Sequence, residues 1–407
     1  MTFARALALA LENNPELSAF SWDIRSAEAR IIQAKLVPNP EISLEGENLN
    51  ELSGNNEMQD TLRLSQVIEL GGKRKLRVRE AQFDRASTQW DYQVKRLEVL
   101  KLTTAAYVDV LAAQWNVQLA KDGLAIAEAA EPAAEKRLEA GNASTVELVR
   151  SKTAIATAYL EFEQAKRELE TARVNLAAQW GKKKAVFPYA VGNLEQISQI
   201  PALESLNAKL RGNPNLAKWT TEREKRLATL KLIRAEAKPD LTVEAGPRVI
   251  ASNPVDVTFV AGLSIQLPLW NRDQGKIAEA EANIAKVADE RAAAEAMAYA
   301  DLNEAYQTLA RAAEEVRVLR ETVLPGAKSV VDQITEGYST GRFSQLDVLD
   351  AQKNYNETRT QYVKALTDYH KAQAQIDALT AAPFESANPE QADIEDRRDS
   401  KQKRRSK

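Results

Sequence analysis

The chain has 407 residues, a net charge of -3 and no cysteine, and 28% of its residues are charged. Its slight acidity gives no electrostatic basis for binding nucleic acid, and disulfide bonds are excluded. It contains no run of about 20 apolar residues, so a membrane-spanning helix is not predicted. Glycine and proline are few and clustered, which favours long helices separated by short breaks.

The first half opens with helical patterns and two short strands. Asn14 is a good helix cap and Pro15 suits the first helical position, so a helix is predicted from there until Pro38 and Pro40 stop it. Alternation of apolar and polar residues predicts one strand around Ile42 and Leu44 and a second at residues 62–70.

A polar turn at residues 48–57 should join these two strands. After Gly71-Gly72 the helical pattern continues to about Glu139. Gly141 then permits a turn, and Ser144 or Thr145 can cap a helix that returns.

The second half repeats the strand-then-helix pattern. Alternation from Val255 to Leu269 predicts a strand with one apolar face, which Pro268 ends. A helix of roughly 65 residues follows, which at about 1.5 Å per residue gives on the order of 100 Å. A coiled-coil seam is predicted along it, with apolar residues at every seventh position. These are Leu302, Leu309, Val316, Val323 and Val330.

Matching positions indicate an internal duplication. Asn14-Pro15 and Asn213-Pro214 are 199 residues apart, as are Tyr107 and Tyr306, whereas Gly141 and Gly341 are 200 apart. One register with a single-residue slip is typical of a repeat. We therefore predict a first repeat at 1–180, an equatorial insertion at 181–212, a second repeat at 213–382 and a charged, disordered tail at 383–407.

Four short strands cannot close a membrane barrel alone, because such barrels use about eight strands or more. Their apolar side needs either lipid contact in an oligomer or cover from the chain's own helices, and the strands alone leave both options open. In an oligomer the polar side would face a water-filled lumen. Its residues are Ser43, Glu45, Arg63, Ser65, Thr242, Glu244, Arg248, Asp256 and Thr258.

Basic and aromatic residues beside the strands favour the membrane interpretation. Lys73, Arg74 and Lys75 stand at a helix N-terminus, where positive charge is unfavourable. Lipid phosphates at a barrel rim would account for this placement, and Trp270 suits an aromatic belt at the same depth. A solvated run of charges is the alternative.

The doubled layout, the Asn-Pro-x-Leu openings and the segment Leu346 to Ala351 after the second turn resemble the TolC-type outer-membrane efflux channels. The resemblance covers about residues 3–382. Residues 38–41, Pro-Asn-Pro-Glu, and 68–74, Ile-Glu-Leu-Gly-Gly-Lys-Arg, are similar to its CzcC-like heavy-metal branch, the outer channels of cobalt, zinc and cadmium exporters.

This resemblance implies a mainly α fold, an internally duplicated coiled-coil barrel in which four β-strands per protomer complete a twelve-stranded membrane barrel in a homotrimer. It implies an outer-membrane location with a long periplasmic extension, in contact with outer-membrane lipid. The implied partners are a periplasmic adaptor (membrane fusion) protein and an inner-membrane pump of the resistance-nodulation-division (RND) type. Divalent heavy-metal cations would leave passively, without a cofactor.

Asp347 and Asp350 are the predicted pore constriction. They lie three residues apart just after the second turn, so they are neighbours on one helix face. In a trimer they would form two rings of carboxylates that attract cations. By resemblance they match the paired aspartates at the closed entrance of TolC-type channels. The alternative is that acids in a first helical turn only favour the helix dipole.

Residues at the two turns are candidates for adaptor contact, since a coiled-coil tip offers backbone and small side chains to a partner hairpin. For the glycines, turn chemistry alone is an alternative explanation. The candidates are Gly141, Asn142, Ser144, Gly341, Arg342, Phe343 and Ser344.

An enzyme is not predicted, because no catalytic triad, phosphate loop or clustered metal ligands occur around the single histidine, His370. Two alternatives to metal export stay open. One is the same channel fold exporting drugs or polypeptides, since the pump selects the cargo. The other is a soluble coiled-coil scaffold.

Overall fold

The computed structural model describes residues 1–48, 57–141, 144–252 and 254–382. Most of the predicted polar turn, Asn142 and the tail at 383–407 lie outside these ranges. The first half contains α1 (Phe3–Asn13), α2 (Pro15–Ala34), β1 (Glu41–Glu47), β2 (Gln59–Ile68), α3 (Lys73–Glu139) and α4 (Thr145–Ala178).

The second half repeats the order of the first, and it too begins with a short helix. It contains α5 (Leu203–Leu210), α6 (Pro214–Glu236), β3 (Leu241–Ile250), β4 (Asp256–Ile265), α7 (Gln274–Val318), a π-helical turn (Leu319–Val323), α8 (Leu324–Ser339) and α9 (Gln345–Thr380). The predicted mainly helical, duplicated fold is confirmed. None of the described helices is both long enough and apolar enough to cross a membrane.

The asparagines that open the two repeats make matching contacts. The Asn14 side-chain oxygen accepts hydrogen bonds from the backbone N–H groups of Glu16 and Leu17, so it caps α2 as predicted. Its side-chain N–H group donates to the Gln179 carbonyl at 2.8 Å. Asn213 donates in the same way to the Leu379 carbonyl at 2.7 Å. Each asparagine therefore also satisfies a carbonyl at or beside the end of a return helix.

The chain forms two compact units. One comprises residues 20–92 and 214–294 and holds all four described strands. The other comprises the described residues of 1–19, 93–213 and 295–382, and it contains the main hydrophobic core. Each unit draws on both halves of the sequence.

The core of the second unit forms around Tyr107 on α3, Leu176 on α4 and Leu366 on α9. Fully burying such side chains stabilises a fold by about 1.5–3 kcal/mol each. Phe187 and Leu194, which follow α4, join this core. The Tyr107 hydroxyl lies 2.6 Å from the Val191 carbonyl, and burial raises its pKa to about 12.

The predicted seam along α7 holds only as far as the π-helical turn. Leu302, Leu309 and Val316 are fully buried, whereas Val323 and Val330 are 38% and 49% exposed. The prediction was wrong for these two valines. A π turn has more residues per turn than an α-helix, so it moves the inward-facing positions one residue along the chain. Leu324, Val331 and Tyr338 are the half-buried positions that continue the seam.

Candidate functional site: the strand sheet and the helix tips

The four strands form one antiparallel sheet in the order β1-β2-β3-β4. β1 pairs with β2 and β3 pairs with β4 as two hairpins, and β2 pairs with β3 across the repeats. Within the described ranges, β1 and β4 are therefore the edges of the sheet. Each edge strand presents a row of backbone N–H and C=O groups that another strand could pair with.

One side of the sheet is apolar and exposed. The register places Leu44 opposite Leu62 and Val243 opposite Leu263, so the apolar residues of neighbouring strands share a side. Leu44 is 75% exposed and Phe259 is 73% exposed. No helix of the described residues covers these side chains, so within that part of the chain the sheet does not pack its apolar side on helices.

The opposite side is polar, and Arg63 is at its centre. The Arg63 guanidinium contacts Glu45 on β1 at 2.9 Å and Glu244 on β3 at 3.0 Å, so it links three adjacent strands. The Arg248 Nε donates to the Thr61 hydroxyl at 3.0 Å. The residues predicted to line a lumen therefore lie on one side of the sheet, as their alternation required.

Charged residues follow the second strand, but not all of them are exposed. Lys73 is buried, and its Nζ lies 2.8 Å from an Asp240 carboxylate oxygen. Its charge has an internal partner because Asp240 immediately precedes β3, so a lipid contact is not expected of it. Arg74 and Lys75 are exposed, and Trp270 is 87% exposed.

The two helical turns use glycine in the left-handed backbone region. Gly141 has a φ of 73° and Gly341 a φ of 77°, which residues with a Cβ adopt at a cost. Beyond Gly341, the Arg342 N–H donates to the Gly337 carbonyl at 2.8 Å. The Phe343 ring lies over Gly337, where an added Cβ would come within 2.3 Å of it. At the second turn, an aromatic ring therefore packs against the backbone of α8.

Asp347 has a structural role at the start of α9. Its carboxylate accepts hydrogen bonds from the Ser344 hydroxyl at 2.7 Å and the Ser344 backbone N–H at 2.8 Å, which completes a capping box at the start of α9. These bonds hold the pKa of the Asp347 carboxyl below its usual range. Both Asp347 and Asp350 are exposed. Ser144, at the first turn, makes no such side-chain cap bond.

The sequence did not indicate the contact between Arg137 and Tyr338. The Arg137 guanidinium stacks on the Tyr338 ring at 4.5 Å and donates to the Tyr338 carbonyl at 3.1 Å. The end of α8 is therefore tied to the end of α3 by stacking and a hydrogen bond. The internal duplication gives only a weak signal for this contact. Arg137 and Gly337 are 200 residues apart, so they are counterparts in the two repeats, and their side chains differ.

No group of three or more histidine or acidic side chains among the described residues is arranged to hold a metal ion. The His370 ring is buried, and its Nε2 lies 2.8 Å from the Leu194 carbonyl. Burial lowers the pKa of this imidazole. His370 therefore belongs to the core of its unit.

Comparison with known proteins identifies the family of this chain. The model of the outer membrane efflux protein family matches residues 6–182 and 206–382. The chain is 32% identical to the cobalt-zinc-cadmium resistance protein CzcC of Cupriavidus metallidurans, over 93% of this chain and 90% of that protein.

Solved structures share the fold at low identity. A membrane protein from Pseudomonas aeruginosa matches with a TM-score of 0.78 and 18% identity, covering 93% of this chain and 92% of that one. CusC, whose structures are described in terms of transmembrane channel formation, matches with a TM-score of 0.77 and 16% identity, covering 94% and 92%. The family match spans both repeats, and the chain belongs to the outer membrane efflux protein family.

Proposed function

We propose that this protein is the passive exit duct of a tripartite efflux system, assembled as a homotrimer in the outer membrane with a long periplasmic extension. The observation that carries this proposal is the exposed apolar side of the four-stranded sheet. An apolar surface of this kind on a soluble monomer marks an interaction site or an aggregation liability. Contact with lipid hydrocarbon would account for the exposed apolar side of the sheet.

The edges of the sheet support the proposed assembly. Four strands are too few for a membrane barrel, and no strand of the described residues pairs with the outer side of β1 or β4. Pairing β4 of one copy with β1 of the next would satisfy both edges, and three copies would close a barrel of twelve strands. The polar side that contains Arg63, Glu45 and Glu244 would then line the lumen, while Phe259 and Leu44 would face lipid.

The proposed partners are a periplasmic adaptor protein and an inner-membrane RND pump. The helix tips are the proposed adaptor contact, with Phe343 as its apolar element and Gly141, Asn142, Ser144, Gly341, Arg342 and Ser344 around it. Arg74, Lys75 and Trp270 are the proposed rim residues, with the exposed cations close to lipid phosphate groups. Lys73 is left out because its charge is paired to Asp240.

The proposed cargo is divalent heavy-metal cations. The relative CzcC is named as a cobalt-zinc-cadmium resistance protein. The polar side of the sheet supports this choice. Its carboxylates outnumber its guanidinium groups, so a lumen lined by it would attract cations. The carboxylates are Glu41, Glu45, Glu47, Glu244 and Asp256, and the guanidinium groups are those of Arg63 and Arg248.

We propose Asp347 and Asp350 as the constriction at the entrance. Replacing both by Ala in the purified trimer should raise single-channel conductance in planar bilayers and weaken block by multivalent cations. Because Asp347 also caps α9, Ser344→Ala serves as the control for loss of the cap alone. Unchanged conductance and unchanged block in the double variant would remove this assignment.

Export assays decide the cargo. A strain lacking this protein should become sensitive to cobalt, zinc or cadmium and recover when the intact gene is returned. Sensitivity to drugs with no change toward metals would favour the alternative cargo. A chain that stays monodisperse and monomeric in detergent-free buffer would instead support a soluble scaffold.

A further inference from the structure

The helices of the unit that holds the sheet follow the same order as the strands. The Arg30 guanidinium of α2 lies 2.7 Å from the Asp84 carboxylate of α3, and Arg226 of α6 lies 2.7 Å from the Glu290 carboxylate of α7. Hydrogen bonds between α3 and α6 join these two pairs of helices. Within the described ranges, α2 and α7 are therefore the outer helices of this row, as β1 and β4 are the outer strands of the sheet.

The contacts of α3 with α6 and of β2 with β3 form a junction between the two repeats, which we call the repeat junction. Three side-chain hydrogen bonds cross its helices, from Trp90 to Thr221 at 2.9 Å, from Thr229 to Glu80 at 2.6 Å and from Ser87 to Glu222 at 3.5 Å. All six of these residues are half-buried. The repeat junction therefore shows which positions meet when the helices of one repeat pack against those of the other.

The duplication identifies the positions that would form the same junction between two copies of the chain. Counterparts in these helices are 199 residues apart. Moving the three α3 residues forward by 199 gives Glu279, Lys286 and Asp289 on α7, and moving the three α6 residues back by 199 gives Arg30, Asp23 and Trp22 on α2. All six are exposed, whereas their counterparts are half-buried. The two outer helices thus present the junction positions without a packing partner among the described residues.

These exposed residues complement one another when they are paired as in the repeat junction. Arg30 would lie opposite Glu279, and Asp23 opposite Lys286, so two ion pairs would form between copies. The Trp22 indole N–H would donate to the Asp289 carboxylate. Among the residues that the structure describes, Asp23, Glu279 and Asp289 have no ion-pair partner. The residue changes between the repeats therefore keep donors opposite acceptors, although they change the type of contact.

The strands give a consistent register. In the repeat junction Ser65 pairs with Glu244 and Gln66 with Val243. The same shift of 199 residues places Ser264 of β4 opposite Glu45 of the next copy, and Ile265 opposite Leu44. Polar residues then face polar residues and apolar residues face apolar ones across the junction. A slip of one residue would bring Leu44 beside Ser264 and mix the two sides of the sheet.

We propose that copies of this chain meet in the register of the repeat junction, with α7 and β4 of one copy against α2 and β1 of the next. The inference rests on the proposed trimeric channel and adds the residues by which one copy recognises another, which are the three pairs on the outer helices. Such a head-to-tail contact uses two different surfaces, so it can close into a ring. Three copies would then contain three junctions within chains and three of the same register between chains.

Cross-linking tests the register. The chain contains no cysteine, so two introduced cysteines are its only thiols. Asp23→Cys with Lys286→Cys, and Arg30→Cys with Glu279→Cys, are the matched pairs, which a short bis-maleimide should link into covalent trimers. The controls recombine the same four substitutions, as positions 23 with 279 and 30 with 286. Because these recombined pairs are seven residues out of register, about 10 Å along the helices, the matched pairs should give at least about fivefold more covalent trimer.

Products within one chain are not expected, since α3 and α6 lie between α2 and α7. Equal yields from matched and recombined pairs, in preparations that are trimeric before cross-linking, would overturn the register and leave the channel intact. An unmodified chain that stays monomeric in detergent and in lipid would overturn the channel itself.

Charge reversal tests the chemistry of one contact. Asp23→Lys would place two lysines together and Lys286→Asp two carboxylates. Each alone should lower the trimer fraction in native mass spectrometry at low ionic strength by at least about threefold, because the contact occurs three times in a trimer. The two substitutions together should restore the trimer. Asp23→Lys with Lys276→Asp, an exposed position ten residues away on α7, is the control and should not. Recovery in both double variants, or in neither, would overturn the pairing of Asp23 with Lys286.

Discussion

His370 links the stability of the helical unit to pH. Its imidazole is buried against Leu194, so the folded protein disfavours the charged form and the pKa lies below the ordinary value of about 6.5. The unfolded chain therefore binds the proton more readily, and stability falls as pH drops through about 6.5. The loss levels off below the folded pKa.

We expect the thermal unfolding midpoint to decrease from pH 7.5 to pH 5.5, and to decrease less in His370→Gln, whose amide can still donate to the Leu194 carbonyl. Calorimetry in detergent across this range measures the difference. Parallel curves for the two proteins would show that His370 does not contribute to the pH dependence.

Asn14 should matter to stability more than an ordinary surface amide. It caps α2 through two backbone N–H groups and also satisfies the Gln179 carbonyl. Asn14→Ala should therefore lower the free energy of unfolding by about 1–2 kcal/mol, as measured by denaturant titration. Asn13→Ala, at the exposed neighbouring position, is the control. An equal effect of both substitutions would contradict the capping role.

Single residues were predictable from sequence where local rules decide them. Asn14 as a cap and Gly141 and Gly341 as turn residues follow from short-range chemistry. The burial of Lys73 could not be predicted, because its partner Asp240 is far away in sequence. For the same reason the Arg137 and Tyr338 contact was missed.

At the scale of elements, alternation fixed the faces of the strands because a strand places successive side chains on opposite sides. The order of the strands in the sheet could be read only from the structure, since the sequence does not indicate which edges of the two hairpins pair. The predicted seam was wrong at Val323, because a seven-residue spacing of buried positions assumes an uninterrupted α-helix. The slip between the repeats was visible in sequence, but its location in a π turn was not.

The second tip depends on the fit between Gly337 and Phe343. Gly337→Ala would place a methyl group within 2.3 Å of the ring, so Phe343 must swing outward. The expected cost is about 1 kcal/mol, since the ring is already partly exposed, together with weaker adaptor binding. Binding measured by surface plasmon resonance in the Phe343→Ala background should show no further effect of Gly337→Ala. An equal loss in both backgrounds would rule out this fit.

At the scale of the whole molecule, the account depends on three copies meeting through the sheet edges. In the part of the chain that the structure describes, β1 and β4 each have one partner strand. Pro at Ile42 or Val257 would remove a backbone donor from an edge strand. Such variants should give fewer trimers by native mass spectrometry in detergent than substitutions to Thr at the same positions. Equal trimer yields would contradict assembly through these edges.

The exposed apolar side of the sheet is the feature on which the channel assignment depends, and lipid contact there can be measured directly. Nitroxide labels at Phe259→Cys and at Thr258→Cys report adjacent positions on opposite sides of β4. In lipid vesicles, the label at 259 should be accessible to oxygen and protected from a water-soluble nickel reagent, and the label at 258 should show the reverse. Equal access of the nickel reagent to both positions would contradict the proposed membrane channel.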